Sequence, residues 1–313
     1  MSVQRVAVIG TGVIGASWAA KFLAAGLDVV AWDPGADAEA RLRSAIDTYW
    51  PVLERIGLAD GASPERVALV GDPAAAVADA DFVQESGPEV EDLKVELFER
   101  LDASARDDVV IASSSSGLLP SVIQSECRRR PERVLVGHPF HPAHLVPLVE
   151  VVGGQQTSED AIESALAFYA AIGKRPIRVN AELPGHVTNR MQAALWREAY
   201  WLVASGAATV ADIDTALSNG PGLRWALLGP FATQHLSGGA GGIAHVLEHL
   251  GPPMVEWWHT FETPEWTDEL KAAVAAGVDA ELAHVDQAAM ARERDILLEQ
   301  LIVAKARASH LPG

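Results

Sequence analysis

Two rhythms of apolar and polar positions divide this chain. In the first part, short β-branched runs alternate with longer amphipathic stretches. The runs Val6 to Ile9, Asp28 to Trp32, Ala68 to Val70, Asp81 to Gln84, Val109 to Ala112, Val134 to Gly137, Leu148 to Val152 and Pro176 to Val179 predict strands. Between them, helices are expected over Ala16 to Ala25, near 73–79, over about Val90 to Ala103 and over Glu159 to Ile172. The second strand is followed by a helical excursion, Ala36 to Trp50, with Pro51 as a break or new start before Val52 to Ile56. Regular alternation of this kind predicts a Rossmann-type, doubly wound, mainly parallel sheet with its site at the strand C-termini.

From Pro184 the period changes and only helices are expected: Val187 to Ser205, Val210 to Leu217, Pro230 to Leu236, Gly242 to Leu250 and Leu270 to about Ala306. The reading is therefore an α/β domain over 1–183 and an all-α C-terminal domain over 184–313. The glycines between Leu236 and Gly242 are expected to form a flexible connector, too short to separate domains.

Gly10-Thr11-Gly12-Val13-Ile14-Gly15 stands between the first strand and the first helix, and Asp33 ends the second strand. This is the dinucleotide-binding pattern in its full context. The first glycine permits a tight turn, the second lets backbone approach a pyrophosphate, and the third lets helix pack on strand. The helix start at Val13 and Ile14 offers free N–H groups to phosphate. Asp33 would accept hydrogen bonds from ribose hydroxyls and repel a 2′-phosphate, which predicts NAD rather than NADP.

Composition narrows the function classes. With 24 Lys+Arg against 42 Asp+Glu in 313 residues, the net charge is −18, which speaks against nucleic acid and anionic membranes as partners. Cys127 is the single cysteine, so no disulfide within the chain and no cysteine-based metal site is possible. The first residues lack the regions of a signal peptide, and no apolar run approaches a membrane span, so a cytoplasmic protein is expected.

The stretch Val134 to Glu150 carries the candidate chemistry. A strand runs into His138, a proline-studded loop follows, and a second apolar run ends on Glu150. An imidazole and a carboxylate on neighbouring strands make a general acid/base pair if they meet. His138, His141 and His144 stand three apart and invite a metal reading. Pro139 and Pro142 impose an extended loop on which the three side chains need not converge, and no separate metal motif is present, so no metal is expected.

These segments together resemble the 3-hydroxyacyl-CoA dehydrogenase superfamily over nearly the whole chain. VAVIGTGVIGASWA, ADFVQESGPEVEDLK, SSSSGLLPS, GHPFHP, PLVEVVGG and LPGHVTNR match its cofactor and active-site segments. LWREAYWL and GLRWALLGPF are similar to the branch acting on free 3-hydroxy acids, which holds the carnitine dehydrogenases and the gulonate dehydrogenase/lambda-crystallin group. The resemblance implies His138 as catalytic base, Glu150 as its partner, Ser116 against substrate and nicotinamide, and Asn189 near the substrate oxygen. It implies Glu89 and Lys94 at the nicotinamide ribose, and a homodimer through the helical half.

The implied reaction is NAD-dependent oxidation of the C3 hydroxyl of a small L-3-hydroxy acid. The excursion after the second strand is net acidic and has no lysine, which suits a free acid better than a coenzyme A thioester. Arg224 is the candidate clamp for a substrate carboxylate. Nine tryptophans, Trp225 among them, supply candidates for an aromatic cage around a trimethylammonium group, with core packing as the plainer role for most. L-carnitine is thus the leading substrate. L-gulonate, 3-hydroxybutyryl-CoA and a catalytically idle, NAD-binding structural protein are the alternatives. His141 departs from the asparagine usual in the family and is a candidate for altering substrate choice.

Overall fold

The protein is described here by a computed structural model covering residues 3–311. The first part contains β1 (Arg5–Ile9), α1 (Val13–Ala24), β2 (Asp28–Trp32), α2 (Ala38–Ile56), β3 (Val67–Leu69), α3 (Pro73–Val77) and β4 (Phe82–Glu85). It continues with α4 (Glu91–Ser104), β5 (Val110–Ser113), α5 (Pro120–Ile123), β6 (Val134–Pro139), β7 (Leu148–Gly153), α6 (Glu159–Ala171) and β8 (Arg175–Val179). Eight strands form one sheet in the order β3-β2-β1-β4-β5-β6-β7-β8. All neighbours are parallel except β6 and β7. The expected doubly wound, mainly parallel sheet is what the chain builds.

Alternation along β1 divides the core into two. Val6 and Val8 face a cluster with Trp18, Phe22, Leu42, Phe168 and Tyr169, while Ala7 and Ile9 face one with Val77, Phe98, Leu101 and Ile123. Period-two alternation in a strand covered on both faces requires apolar residues on both, hence the unbroken VAVI run. Phe82 of β4 stacks on Phe168 of α6 at 4.0 Å, and Trp18 of α1 lies 5.6 Å from Tyr169 of α6, so aromatic contacts join both helices on one face. Strand order reverses direction between β1 and β4, which opens a crevice at their C-terminal ends.

Within this α/β part, two local expectations change. Pro51 neither breaks nor starts a helix, since α2 runs through it from Ala38 to Ile56. Pro51 lies on the exposed side, where solvent can satisfy the carbonyl that loses its N–H partner. Glu150 lies inside β7 rather than at a strand end, and β7 runs antiparallel to β6.

The chain divides into two compact units, Met1–Arg190 and Met191–Gly313. The second is helical, as expected: α7 (Thr188–Ala204), which begins in the first unit, α8 (Val210–Asn219), α9 (Pro221–Trp225), α10 (Pro230–Ser237), α11 (Gly242–His249), α12 (Gly251–Trp258), α13 (Asp268–Glu281) and α14 (Gln287–Arg307). The single helix expected from Leu270 to Ala306 is two, because Asp286 caps a fresh start by accepting from the N–H groups of Ala288 and Ala289. α12 begins on Gly251-Pro252-Pro253, where proline in the first turn costs no hydrogen bond. The Leu236–Gly242 segment is a tight turn rather than a loose connector. The His235 ring leaves no room for a side chain at Gly242, whose φ is +58°, and His235 Nδ1 accepts from Ile243 N–H at 3.2 Å.

Candidate active site

The antiparallel β6–β7 register sets His138 directly opposite Glu150. His138 Nδ1 lies 2.8 Å from Glu150 Oε2, and both side chains are buried. An ionised carboxylate only accepts, so Nδ1 carries the proton and Nε2 keeps its lone pair for an external proton. The other oxygen, Oε1, accepts from Val187 N–H at 3.0 Å, Thr188 N–H at 2.9 Å and Thr188 Oγ1 at 3.2 Å. Glu150 thus satisfies the start of α7 while orienting His138. Burial pushes its carboxyl up, but the hydrogen bonds from His138, Thr188 and Val187 outweigh burial and hold it below the ordinary value.

The serines from Ser113, the last residue of β5, onward have separate tasks. Ser113 Oγ donates to Glu85 Oε2 at 2.6 Å, and Ser114 Oγ accepts from Gln84 Nε2 at 2.8 Å. Ser115 Oγ donates to Glu89 Oε1 at 2.5 Å, and the same oxygen accepts from the N–H groups of Ser116, Gly117 and Leu118 at 3.1, 2.8 and 3.2 Å. Glu89 therefore shapes the loop that presents Ser116, whose side chain is exposed. Burial raises the Glu89 carboxyl, but the Ser115 hydroxyl, the Gly117 and Leu118 amides and Lys94 outweigh it, and the net shift is downward. Lys94 is buried: Nζ donates to Glu85 Oε1 and Oε2 at 2.7 and 2.9 Å and to the Gly87 carbonyl at 3.3 Å, and lies 3.8 Å from Glu89 Oε2. Asn189 is half-buried on the first turn of α7, one residue after Thr188.

The three loop histidines have different surroundings. His141 is exposed, between Phe140 and a cis-linked Pro142. His144 is buried on α1 and α2: its Nδ1 is 2.7 Å from Ser17 Oγ and its ring stacks on Tyr49 at 4.1 Å. Lys174 Nζ, also buried, donates to the Ala143 and Val146 carbonyls and ties this loop down.

The glycine loop fits a dinucleotide. A Cβ on Gly10 would fall 2.9 Å from Ser86 and Gly87 backbone, and one on Gly15 would meet the Gly10 carbonyl. A Cβ on Gly12 meets nothing within 4 Å, so this glycine leaves an open face of backbone. It borders a cavity of about 650 Å³, lined also by Val13, Ile14, Trp32, Asp33 and Pro88. Asp33 accepts from Thr11 N–H at 2.7 Å and Gly35 N–H at 2.8 Å. Burial raises its carboxyl, but these bonds and Arg41 bring it below the ordinary value, so it stays ionised. Gly10, Gly12, Val13, Ile14 and Asp33 line one crevice, with Gly15 packed behind it against the Gly10 carbonyl. Asp33 also braces the loop, a task its position at a strand end does not reveal.

Two expected substrate residues lie in the helical unit. Arg224 and Trp225 end α9, and both are exposed. Trp225 borders an apolar cavity of about 620 Å³ with Leu195, Leu217, Val278 and Met290.

Sequence reasoning missed His186, Glu85 and Thr188. His186 is fully buried, with its Nε2 3.2 Å from the Ser115 carbonyl and its ring centroid 5.3 Å from that of His138. The one hint was a histidine within LPGHVTNR, a segment already matched for its asparagine.

Residues 5–182 match the family model described as 3-hydroxyacyl-CoA dehydrogenase, NAD binding domain, and residues 185–280 match the C-terminal domain model of the same family. The L-carnitine dehydrogenase of Streptomyces griseus is 51% identical over 94% of this chain and 87% of its own length. That of Streptomyces coelicolor is 49% identical over 98% of this chain and 96% of its own. Among solved structures, an NAD-dependent pyridine carboxylic acid 5-dehydrogenase superposes with a TM-score of 0.73 at 29% identity, over 91% of this chain and 97% of its own. The (S)-3-hydroxybutyryl-CoA dehydrogenase of Ralstonia eutropha superposes at 0.66 and 26% identity, over 88% and 95%.

Proposed function

The chain belongs to the 3-hydroxyacyl-CoA dehydrogenase family, and from that premise we propose that it oxidises the C3 hydroxyl of L-carnitine to the 3-oxo acid. It is an NAD-dependent oxidoreductase. The observation that carries the substrate is identity near one half, over nearly the whole chain, to relatives named L-carnitine dehydrogenase. NADH formation on purified L-carnitine tests it.

In this reading His138 Nε2 takes the proton of the C3 hydroxyl as the C–H pair leaves carbon. NAD supplies the hydride acceptor, held by the Gly10–Gly15 loop, the start of α1 and Asp33. Glu150 stabilises the imidazolium that forms on His138 and keeps its ring in place. Ser116 and Asn189 hydrogen-bond the reacting oxygen as its charge changes. Glu89 and Lys94 serve the nicotinamide side of the cofactor, with Lys94 acting through Glu85, Gly87 and Glu89. Arg224 takes the substrate carboxylate, Trp225 offers an aromatic face to the trimethylammonium group, and His141 bears on substrate choice.

A free acid is supported over a thioester by three of the arginines on or after α2. Arg41 faces Asp33, Arg43 pairs with Glu39, and Arg66 pairs with Asp28, so each already has a carboxylate. The functional domains in this reading are 1–183 for NAD and 184–313 for substrate and dimerisation. A homodimer is supported by the apolar surface of the helical unit, where Phe231, Trp257 and Trp266 are 77%, 61% and 61% exposed. Among the described residues no helix is long and apolar enough to cross a membrane. A cytoplasmic site fits a chain whose one cysteine, Cys127, is buried with its thiol pushed up to about 12.

A further inference from the structure

We infer that His186 is a positioning residue for this reaction: its imidazole pins the serine loop after β5 to the His138–Glu150 pair. The inference rests on His138 being the base, as proposed above. His186 is fully buried, its Nε2 lies 3.2 Å from the Ser115 carbonyl, and its ring centroid is 5.3 Å from that of His138. Ser115 belongs to the loop that Glu89 folds around Ser116. Through one ring, the serine that meets substrate and the histidine that takes its proton share a neighbour.

The backbone at this point is unusual. Gly185 has φ +77° and His186 has φ +50°, so a residue with a Cβ is held in left-handed geometry. Such a conformation persists only where its surroundings enforce it, and it marks places where a side chain is needed. This turn does two things at once. It directs the imidazole towards Ser115, and it points the next two amides, Val187 and Thr188, at Glu150 Oε1. The left-handed residue thereby links both halves of the site.

The hydrogen bond also fixes the tautomer. A carbonyl only accepts, so Nε2 of His186 carries the proton and Nδ1 bears a lone pair. Nδ1 is buried and has no hydrogen-bond partner among the described residues. The charged and titratable groups around the ring are His138 on β6, Glu150 on β7 and Glu89 after β4. Burial holds the His186 imidazole below its ordinary value; the Ser115 carbonyl, Glu150 and Glu89 oppose this, and His138 adds to it. The two neighbouring imidazoles therefore hold opposite tautomers, Nδ1–H on His138 and Nε2–H on His186. Only His138 cycles a proton, and no second positive charge opposes it.

Two variants and one measurement on the unaltered protein test this. His186→Phe keeps an aromatic ring and removes the donor. His186→Gln keeps an N–H that reaches a carbonyl and removes the titration. In H186F, kcat should fall about tenfold or more, as loss of one buried hydrogen bond implies, with KM for NAD unchanged. H186Q should recover most of that loss with the same pH profile as the parent. Full activity in H186F would reduce His186 to packing, and loss in H186Q equal to that in H186F would assign it a titrating role instead; either overturns the inference. Nitrogen-15 NMR of the histidine rings in the unaltered, substrate-free protein should show one His186 tautomer, protonated at Nε2 and bare at Nδ1, at neutral pH. A protonated Nδ1 would overturn the inference even if the variants did not fold. Since that reading needs no substrate, a wrong substrate assignment leaves it standing.

Discussion

His138 and Glu150 are direct partners across the antiparallel β6–β7 pair, and their side chains meet at 2.8 Å. Because Glu150 also holds the first amides of α7, the base cannot shift without disturbing the helix that carries Asn189. His138→Ala should lower kcat by about 10² to 10⁴, the range for losing a positioned general base. NAD affinity, measured by fluorescence titration, should stay within a few-fold of the parent. Retained turnover would remove His138 from the base role.

Asp33 joins cofactor choice to loop geometry. It accepts from the N–H groups of Thr11 in the glycine loop and Gly35 after β2. Asp33→Ala should weaken NAD about tenfold or more, as expected from losing charge-assisted hydrogen bonds, and narrow the gap between NAD and NADP. An unchanged preference in steady-state kinetics with both cofactors would refute the assignment.

Glu89 gives a pH-dependent prediction. Its carboxyl is held below the ordinary value in the folded chain. A depressed carboxylate stabilises the fold fully above its unfolded value of about 4.3 and loses that contribution as pH falls through the folded value. Glu89→Ala should cost about 1 to 2 kcal/mol at neutral pH, the scale of a lost set of charge-assisted bonds. Urea melts should show the gap to the parent closing in acid. A gap of the same size at every pH would mean that the carboxylate charge contributes nothing.

Arg224 is exposed on α9, so its loss should leave stability within about 0.5 kcal/mol, as for most surface substitutions. Arg224→Leu should raise KM for the free acid at least tenfold, on the scale of a lost bidentate carboxylate contact, while KM for NAD stays put. Equal effects on both constants would assign Arg224 a structural role.

The fold was legible because its signals are local. The VAVI run, the three glycines and Asp33 lie within one βαβ unit, where spacing alone sets geometry. Proximity of His138 and Glu150 was also readable, since a short proline-rich loop returns the chain beside itself. What spacing does not carry is direction and register, so β7 running antiparallel, and Glu150 serving α7 as well as His138, emerged only in three dimensions. Lys94 illustrates the same gap: the resemblance implied it at the nicotinamide ribose, but its buried pairing with Glu85 is visible only in the fold. His186 stayed hidden because its task depends on a left-handed backbone that histidine does not advertise. α12 was absent from the expected helices, and its Pro252 and Pro253 stand in the first turn, where a helix tolerates both.

Substrate identity is tested most directly by one panel: NADH formation from L-carnitine, L-gulonate, L-3-hydroxybutyrate and 3-hydroxybutyryl-CoA under matched conditions. The account predicts the highest kcat/KM for L-carnitine, with the thioester at least about a hundredfold poorer, the discrimination expected from roughly 3 kcal/mol of differential binding. Turnover of the thioester alone, or of none of the four despite NAD binding, would contradict it.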